Sequence, residues 1–399
     1  MSCQMPEPVR LQFWGGERTI IKRDAMLIRI TTDTGLTGYA PGPAHERADR
    51  EIRQKIGPFL IGKDPRHWQK IGFQADLEVT KIYKAVEIAL LDLVARYERC
   101  TLSDLLGGRK RDSIKLYGSA GMYMEPEEYA REAFAVIDMG FPAYKMRPGI
   151  GPEKDLKTVA LMREAVGPDA GLMIDGHTWW RMGDNSYSFE TIVKLAQDMK
   201  DYHPIWLEEP LPPDDHAAYR KLRTRLDVKL ASGEHEPDDS GFQDLINSEA
   251  VDYVQMDILC QGGISTAQRI FEGVRKQGLR FAFHSWGTTL EVLTAAQLGV
   301  CWPESVVEWL EYPCYSHREK QAMYPFPLAD EILAESLQIK NGYLFLPDGL
   351  GMGIDINEKV IEKYPFIPGP WSLFKLNSPS ETIAVTGDHS VKWVKGNIR

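Results

Sequence analysis

No apolar run in the 399-residue chain approaches the roughly 20 residues that cross a bilayer, so a membrane-spanning helix is not expected. The first residues, MSCQMPEPVRLQFWGGER, contain no apolar core of a secretory signal, which points to the cytoplasm. Cysteine is scarce: Cys3, Cys100, Cys260, Cys301 and Cys314 are scattered, odd in number and never spaced as CxxC. That usage fits a reducing compartment and argues against a thiolate zinc site. There is no block of basic residues and the net charge is −10, which argues against nucleic acid as the main partner. What the chain does have is an ordinary globular composition, 43% hydrophobic and 26% charged, enough to bury a large core.

Its texture changes once. Residues 1–111 mix strand and helix signals: MLIRITTDTGLTGYA alternates around an Asp33-Thr34-Gly35 turn, as a hairpin does, and AVEIALLDLVARY (85–97) has the helical period. From about 112 to 340, short apolar runs alternate with amphipathic helical stretches. The runs are IKLYGS (114–119), AYKMR (143–147), GLMID (171–175), PIWLE (204–208), VKLASGE (228–234), VDYVQMD (251–257), LRFAFH (279–284) and SVVEWLE (305–311). Strands alternating with helices imply a parallel sheet, and eight of them close a barrel. The expected fold is therefore α/β, a (β/α)7β TIM-type barrel with an α+β N-terminal capping domain. Residues 341–399, with strand and turn signals, are expected to return to the cap and barrel.

Polar residues end these runs in succession. Taking one per strand from Lys145, through Asp175, Glu208, Glu234, Asp257, His284 and Glu311, the steps are 30, 33, 26, 23, 27 and 27 residues. Any one alone reads as a solvated or capping residue. In a parallel barrel all strand C-termini open on one face, so the whole set converges on one mouth. Carboxylates at Asp175, Glu208 and Glu234 repel one another unless a cation lies among them, and an all-oxygen set favours Mg²⁺, or Mn²⁺ in its place, over zinc. Asp257 beside His284 is the pattern of a carboxylate-supported general acid or base. Lys145 is on the other side of the metal, with Arg147 on the same strand face. Glu311, if protonated, would donate a hydrogen bond to a developing oxyanion.

On these residues, in the motifs YKMR, MIDGH, WLEEP, SGEHE, MDILCQGG, FHSWGT and EWLEY, the chain resembles the enolase superfamily, and within it the mandelate-racemase-like subgroup rich in acid-sugar dehydratases. The resemblance implies Asp175, Glu208 and Glu234 as ligands of one Mg²⁺ and the Asp257–His284 dyad. It also implies Lys145 as the opposing acid/base and Glu311 as electrophilic partner. That mechanism is a worked pattern for the superfamily. Where the subgroup has lysine-x-lysine, this chain has Lys145-Met146-Arg147. The order Asp175-Gly176-His177 is similar to galactonate and mannonate dehydratases, and SGEHE to rhamnonate and fuconate dehydratases. The implied activity is Mg²⁺-dependent dehydration of a sugar acid. Lys145, His177 or His284 would remove the C2 proton and an imidazolium would protonate the departing C3 hydroxyl. A racemase or epimerase on the same scaffold, or a binding homologue of low turnover, are the alternatives. Arg147, His235, Gln261 and Trp286 are candidate substrate contacts, Trp179 and Trp180 either pocket walls or core, and residues 13–20 a candidate lid. A homo-oligomer is expected.

Overall fold

The computed structural model describes residues 1–314 and 326–388. Residues 315–325, in the expected barrel segment, and 389–399, the end of the expected C-terminal return, lie outside the described residues.

The chain begins with β1 (Ser2–Phe13), β2 (Gly16–Asp24), β3 (Met26–Thr31) and β4 (Thr37–Gly42). β3 and β4 form the expected hairpin, in register from Met26 opposite Gly42 to Thr31 opposite Thr37. The helix Tyr83–Tyr97 is buried over its length from Ala85 to Ala95, which explains why it reads as apolar beyond a single stripe.

The eight expected barrel strands are all present: β5 (Ser113–Met122), β6 (Ala143–Arg147), β7 (Gly171–Asp175), β8 (Trp206–Glu208), β9 (Leu230–Ser232), β10 (Tyr253–Asp257), β11 (Arg280–His284) and β12 (Val307–Pro313). Each pairs in parallel with the next, and β12 closes on β5 from Trp309 opposite Lys115 to Pro313 opposite Ser119. One helix stands in each of the seven intervals, from Pro126–Asp138 to Thr289–Gly299, giving (β/α)7β. Local chemistry starts these helices: Pro126 and Pro152 sit in first turns, and Ser188, Asp215 and Asp238 side chains accept the first free amides.

After residue 337 come β13 (Gln338–Lys340) and β14 (Tyr343–Phe345), the latter antiparallel to β5, and then β15 (Ser372–Leu376) and β16 (Glu381–Val385). β15 pairs with β2, so the chain's end completes a four-stranded cap sheet in the order β1-β2-β15-β16. Among the described residues no helix is long and apolar enough to cross a membrane.

One layer inside the barrel fixes the site above it. Tyr117, Ala143, Met173, Trp206, Ala231, Tyr253, Ala282 and Trp309, one from each strand, pack into a separate apolar cluster. Large and small side chains interdigitate there as a closed floor. Side chains alternate along a strand, so the residues two places on face inward one layer higher. Those are Ser119, Lys145, Asp175, Glu208, Gly233, Gln255, His284 and Glu311. The dry floor thus dictates which strand-end residues turn into the barrel mouth.

Candidate active site

Asp175, Glu208 and Glu234 each offer an oxygen, all within 4.8 Å of one another, and all three residues are buried. Around them the cations are arranged by strand. Lys145 Nζ lies 2.7 Å from Glu208 Oε1, 3.1 Å from Glu311 and 3.5 Å from Asp175. Arg147, two residues on, lies 3.2 Å from Asp175 and 3.1 Å from Glu311, and its guanidinium stacks 3.8 Å over Trp286. On the opposite flank His284 Nε2 is 3.0 Å from Glu234 Oε2, while its Nδ1 is 3.1 Å from Asp257 Oδ2. The other Asp257 oxygen accepts the amides of Leu259 and Cys260, which fixes the carboxylate behind the ring. His177 Nδ1 is 2.7 Å from Asp175 Oδ1.

Two observations test whether this cradle suits a divalent cation. Asp175 Oδ2 and Glu234 Oε2 are buried oxygens that accept no well-directed hydrogen bond, although Arg147 Nε lies 3.2 Å from the first and His284 Nε2 3.0 Å from the second. Glu208 is pushed up to about 8 by burial and by the like charges of Asp175, Glu234 and Glu311, against the pull of Lys145. Buried carboxylate oxygens short of hydrogen bonds and a carboxyl forced towards neutrality are the penalty that an oxygen-seeking cation removes. The donor set fits such an ion, held by Asp175, Glu208 and Glu234.

The other titrating groups separate in direction. Burial opposes the charge on Lys145, but Glu208, Glu311 and Asp175 outweigh it and hold the ammonium above the ordinary lysine value. Burial also disfavours charge on His284, yet Glu234, Glu311 and Asp257 raise it well above the usual imidazole value. His177 is lowered, because burial outweighs Asp175. Glu311 departs from expectation. Burial raises its pKa, but Lys145, His284 and Arg147 bring the net value below the ordinary one. It accepts the Ser285 amide at 3.1 Å and lies 3.1 Å from both Lys145 and Arg147, so in this arrangement it is an acceptor that orients the two cations.

A cavity of about 220 Å³ opens above the cradle. Arg147, His177, Glu234, His235, Asp257, His284 and Trp286 line it, whereas Lys145, Asp175, Glu208 and Glu311 form the fully buried layer beneath. Gln261 is not a lining residue. Its carbonyl oxygen accepts the Asp257 amide at 2.7 Å and its amide group donates to the Glu234 backbone carbonyl, so it ties a cradle strand to the dyad strand. His235 is similarly committed, with Nδ1 2.6 Å from Glu209 and Nε2 2.6 Å from Arg181. Arginine only donates, so Nε2 is the acceptor and Nδ1 carries the proton. That ring has no lone pair left for an ion, although Glu209, Glu234 and His235 lie close together.

The two tryptophans after MIDGH are core. Trp179 stacks on Tyr187 and donates to Asp155 at 2.9 Å, and Trp180 donates to the Glu209 carbonyl at 3.1 Å. Residues 13–20, the candidate lid, are the end of β1, the tight β1–β2 turn and the start of β2. Gly15 packs so closely that a Cβ would lie 2.5 Å from Met182 Cβ. Arg18 from this segment does line the cavity, as do Arg23, Arg181 and Glu291. Sequence reasoning missed Arg23, Arg181 and Glu291, because nothing in the strand-end rhythm marks residues of the cap, of a loop or of a helix's first turn. Gln255 was also missed, although two places beyond Tyr253 the alternation puts it in the site layer.

A closed parallel barrel, with buried acids and imidazoles at the C-terminal ends of its strands and a second domain over the mouth, is the architecture of an enzyme acting on a small molecule. Residues 5–107 match the family model for the mandelate racemase/muconate lactonizing enzyme N-terminal domain, and residues 128–360 the model described as enolase C-terminal domain-like. The chain belongs to the enolase superfamily. It is 30% identical to D-galactarolactone cycloisomerase of Agrobacterium fabrum over 361 residues, covering 86% of this chain and 92% of that one. It is 25% identical to D-gluconate dehydratase of Thermoproteus tenax, covering 85% and 69%. The crystal structure of the 3,6-anhydro-D-galactonate cycloisomerase from Zobellia galactanivorans superposes with a TM-score of 0.73 at 26% identity, covering 90% and 97%.

Proposed function

We propose that the protein is a Mg²⁺-dependent sugar-acid dehydratase. The observation that carries this is the cradle of Asp175, Glu208 and Glu234 held between Lys145 on one flank and the Asp257-backed His284 on the other, with His177 as a third proton carrier. A racemase exchanges one proton at one carbon. A dehydratase also needs an acid aimed at the neighbouring carbon, and the surplus of imidazoles supplies it.

When bound, Mg²⁺ supplies the Lewis acidity that stabilises negative charge developing on the substrate carboxylate. Lys145 and Arg147, held by Glu311, add positive charge on the same side. One proton carrier takes the C2 hydrogen as a proton, leaving its electron pair in the substrate. That pair forms the C2–C3 double bond as the C3–O bond breaks. An imidazolium protonates the departing hydroxyl, which leaves as water, and the enol becomes a 2-keto-3-deoxy acid. The floor beneath excludes bulk water from the reacting face.

A second reading differs only in the leaving oxygen. If that oxygen is tethered in a lactone or anhydro ring, the same proton removal and C–O cleavage opens the ring without losing water. The 30% identical cycloisomerase is the observation that favours it. Incubating the Mg²⁺-loaded protein with a panel of sugar acids and their lactones separates the outcomes. A 2-keto product lighter by one water supports dehydration, and a keto product of unchanged mass supports ring opening. Deuterium entry at C2 with no keto product would overturn both in favour of racemisation.

A further inference from the structure

We propose that Asp155 is a positioning residue: its buried carboxylate fastens the turn carrying His177 to the turn that leaves β6, and so sets where the His177 imidazole stands beside the cradle. This rests on the dehydratase reading above for the chemistry that His177 performs. Asp155 lies in the first turn of the helix Pro152–Val166 and is fully buried. Among the described residues no cation lies against it. Four donors face it instead. The amides of Gly149 and Ile150 are each 3.0 Å from Oδ1, and the Trp179 indole and the Tyr187 hydroxyl are 2.9 and 2.8 Å from Oδ2. Burial pushes the group up to about 6 against these donors, so it is ionised at neutral pH.

An acid in a first turn ordinarily serves the free amides of its own helix. Here Gly151 is the N-cap, and both amides that Asp155 takes precede it in the chain. The other two donors follow β7, in the next unit of the barrel. Burying an anion without a counterion is costly, and starting the helix does not require it, since Pro152 already stands in the first turn. What the anion does is join three pieces. Oδ1 closes the turn 148–151 directly after Arg147. The Gly149 carbonyl in that turn takes the Trp14 amide at 2.7 Å, which ties the β1–β2 turn of the cap to the same place. Oδ2 holds Trp179, two residues after His177 and fully buried. The Trp179 ring stacks on Tyr187 at 5.4 Å, its amide donates to the Gly176 carbonyl at 2.9 Å, and its carbonyl takes the Tyr187 amide at 2.8 Å. Trp179 is therefore the peg of the turn 177–180, and Asp155 fixes the peg. At the near end of that turn Asp175 takes the His177 amide at 3.2 Å and lies 2.7 Å from its Nδ1.

Asp155→Asn and Trp179→Phe cut the same bond. Asparagine keeps one oxygen for the two amides and turns its NH2 group on the indole, which only donates. On the sugar acid that the panel above shows to be turned over, each variant of the Mg²⁺-loaded chain should lose roughly 10–100-fold in kcat, with KM changed by less than about threefold, because a reacting group is displaced while binding is kept. Both substitutions together should cost about as much as either alone, and Asp155→Asn should add less than about threefold in a His177→Asn background. A loss that multiplies in that background, or that falls on KM rather than kcat, would overturn the proposal, as would unchanged kcat in both variants. Crystal structures of the two variants with Mg²⁺ read the placement without turnover. A His177 ring displaced from Asp175 in both, with no sugar acid consumed by the unaltered protein, would uphold the positioning role while defeating the dehydratase reading. A ring that keeps its 2.7 Å contact with Asp175 in both would overturn the positioning role.

Discussion

Gly233→Ala probes how the backbone delivers a cradle ligand. Gly233 precedes Glu234 at the end of the β9 segment and has φ +134°, a conformation in which L side chains are strained. A Cβ there would stand 2.1 Å from the Gln255 carbonyl oxygen and 3.1 Å from its carbonyl carbon and amide nitrogen. The obstacle is the backbone of the adjacent strand β10, which cannot rotate aside as a side chain can. Strain at such a φ costs about 1–3 kcal/mol and overpacking about 1–3 kcal/mol, so the folded state loses roughly 2–6 kcal/mol unless the strand end moves. If it moves, Glu234 moves with it, and with Glu234 the contacts to His284 at 3.0 Å and His235 at 3.3 Å. Either way the variant should show a lower thermal midpoint, a Mg²⁺ affinity weakened by at least about tenfold, or both. Differential scanning calorimetry and Mg²⁺ titration read the two quantities separately. A variant that melts and binds Mg²⁺ like the unaltered protein would refute the claim that this close strand crossing places the ligand.

Two further outcomes follow from named contacts. His216 lies between Glu236 at 2.8 Å and Asp244 at 2.5 Å, and chiefly the Glu236 bond raises it to about 9. Since its folded pKa is above the unfolded value near 6.5, its stabilisation is complete below about pH 6.5 and is lost as pH rises through 9. His216→Gln should flatten the fall in melting midpoint over that window, by an amount of order 1 kcal/mol for a pair partly open to solvent, and an unchanged slope would contradict the assignment. His177→Asn and His284→Asn should each abolish keto-acid formation by about 100-fold or more, but only one should also abolish C2 deuterium exchange, which identifies the base. Full exchange and elimination in both would remove the imidazoles from the chemistry.

The barrel was legible because its rule is repetitive. Each unit spends an apolar strand, a polar tip and a helix, and the tips Lys145 to Glu311 recur at one interval. Parallel pairing then leaves little freedom in where Asp175, Glu208 and Glu234 meet. The charge state of Glu311 was not legible, since it depends on Lys145 and Arg147 lying within 3.1 Å, a distance set by three strands together. Gln261 illustrates a different limit: the QGG motif marks a place near the mouth, but its amide is taken by the backbone of Asp257 and Glu234. Arg18 and Arg23 reach the cavity because β15 returns to pair with β2, a contact between residues more than three hundred positions apart that no local pattern announces.

The central claim is that three buried carboxylates hold one divalent ion. Isothermal titration of the metal-stripped protein with Mg²⁺, repeated on Glu208→Gln, tests it most directly. The account predicts one saturable ion per chain, weakened in the variant beyond the roughly 10–100-fold that loss of an outer partner costs. Absence of saturable binding, or equal affinity in Glu208→Gln, would contradict it.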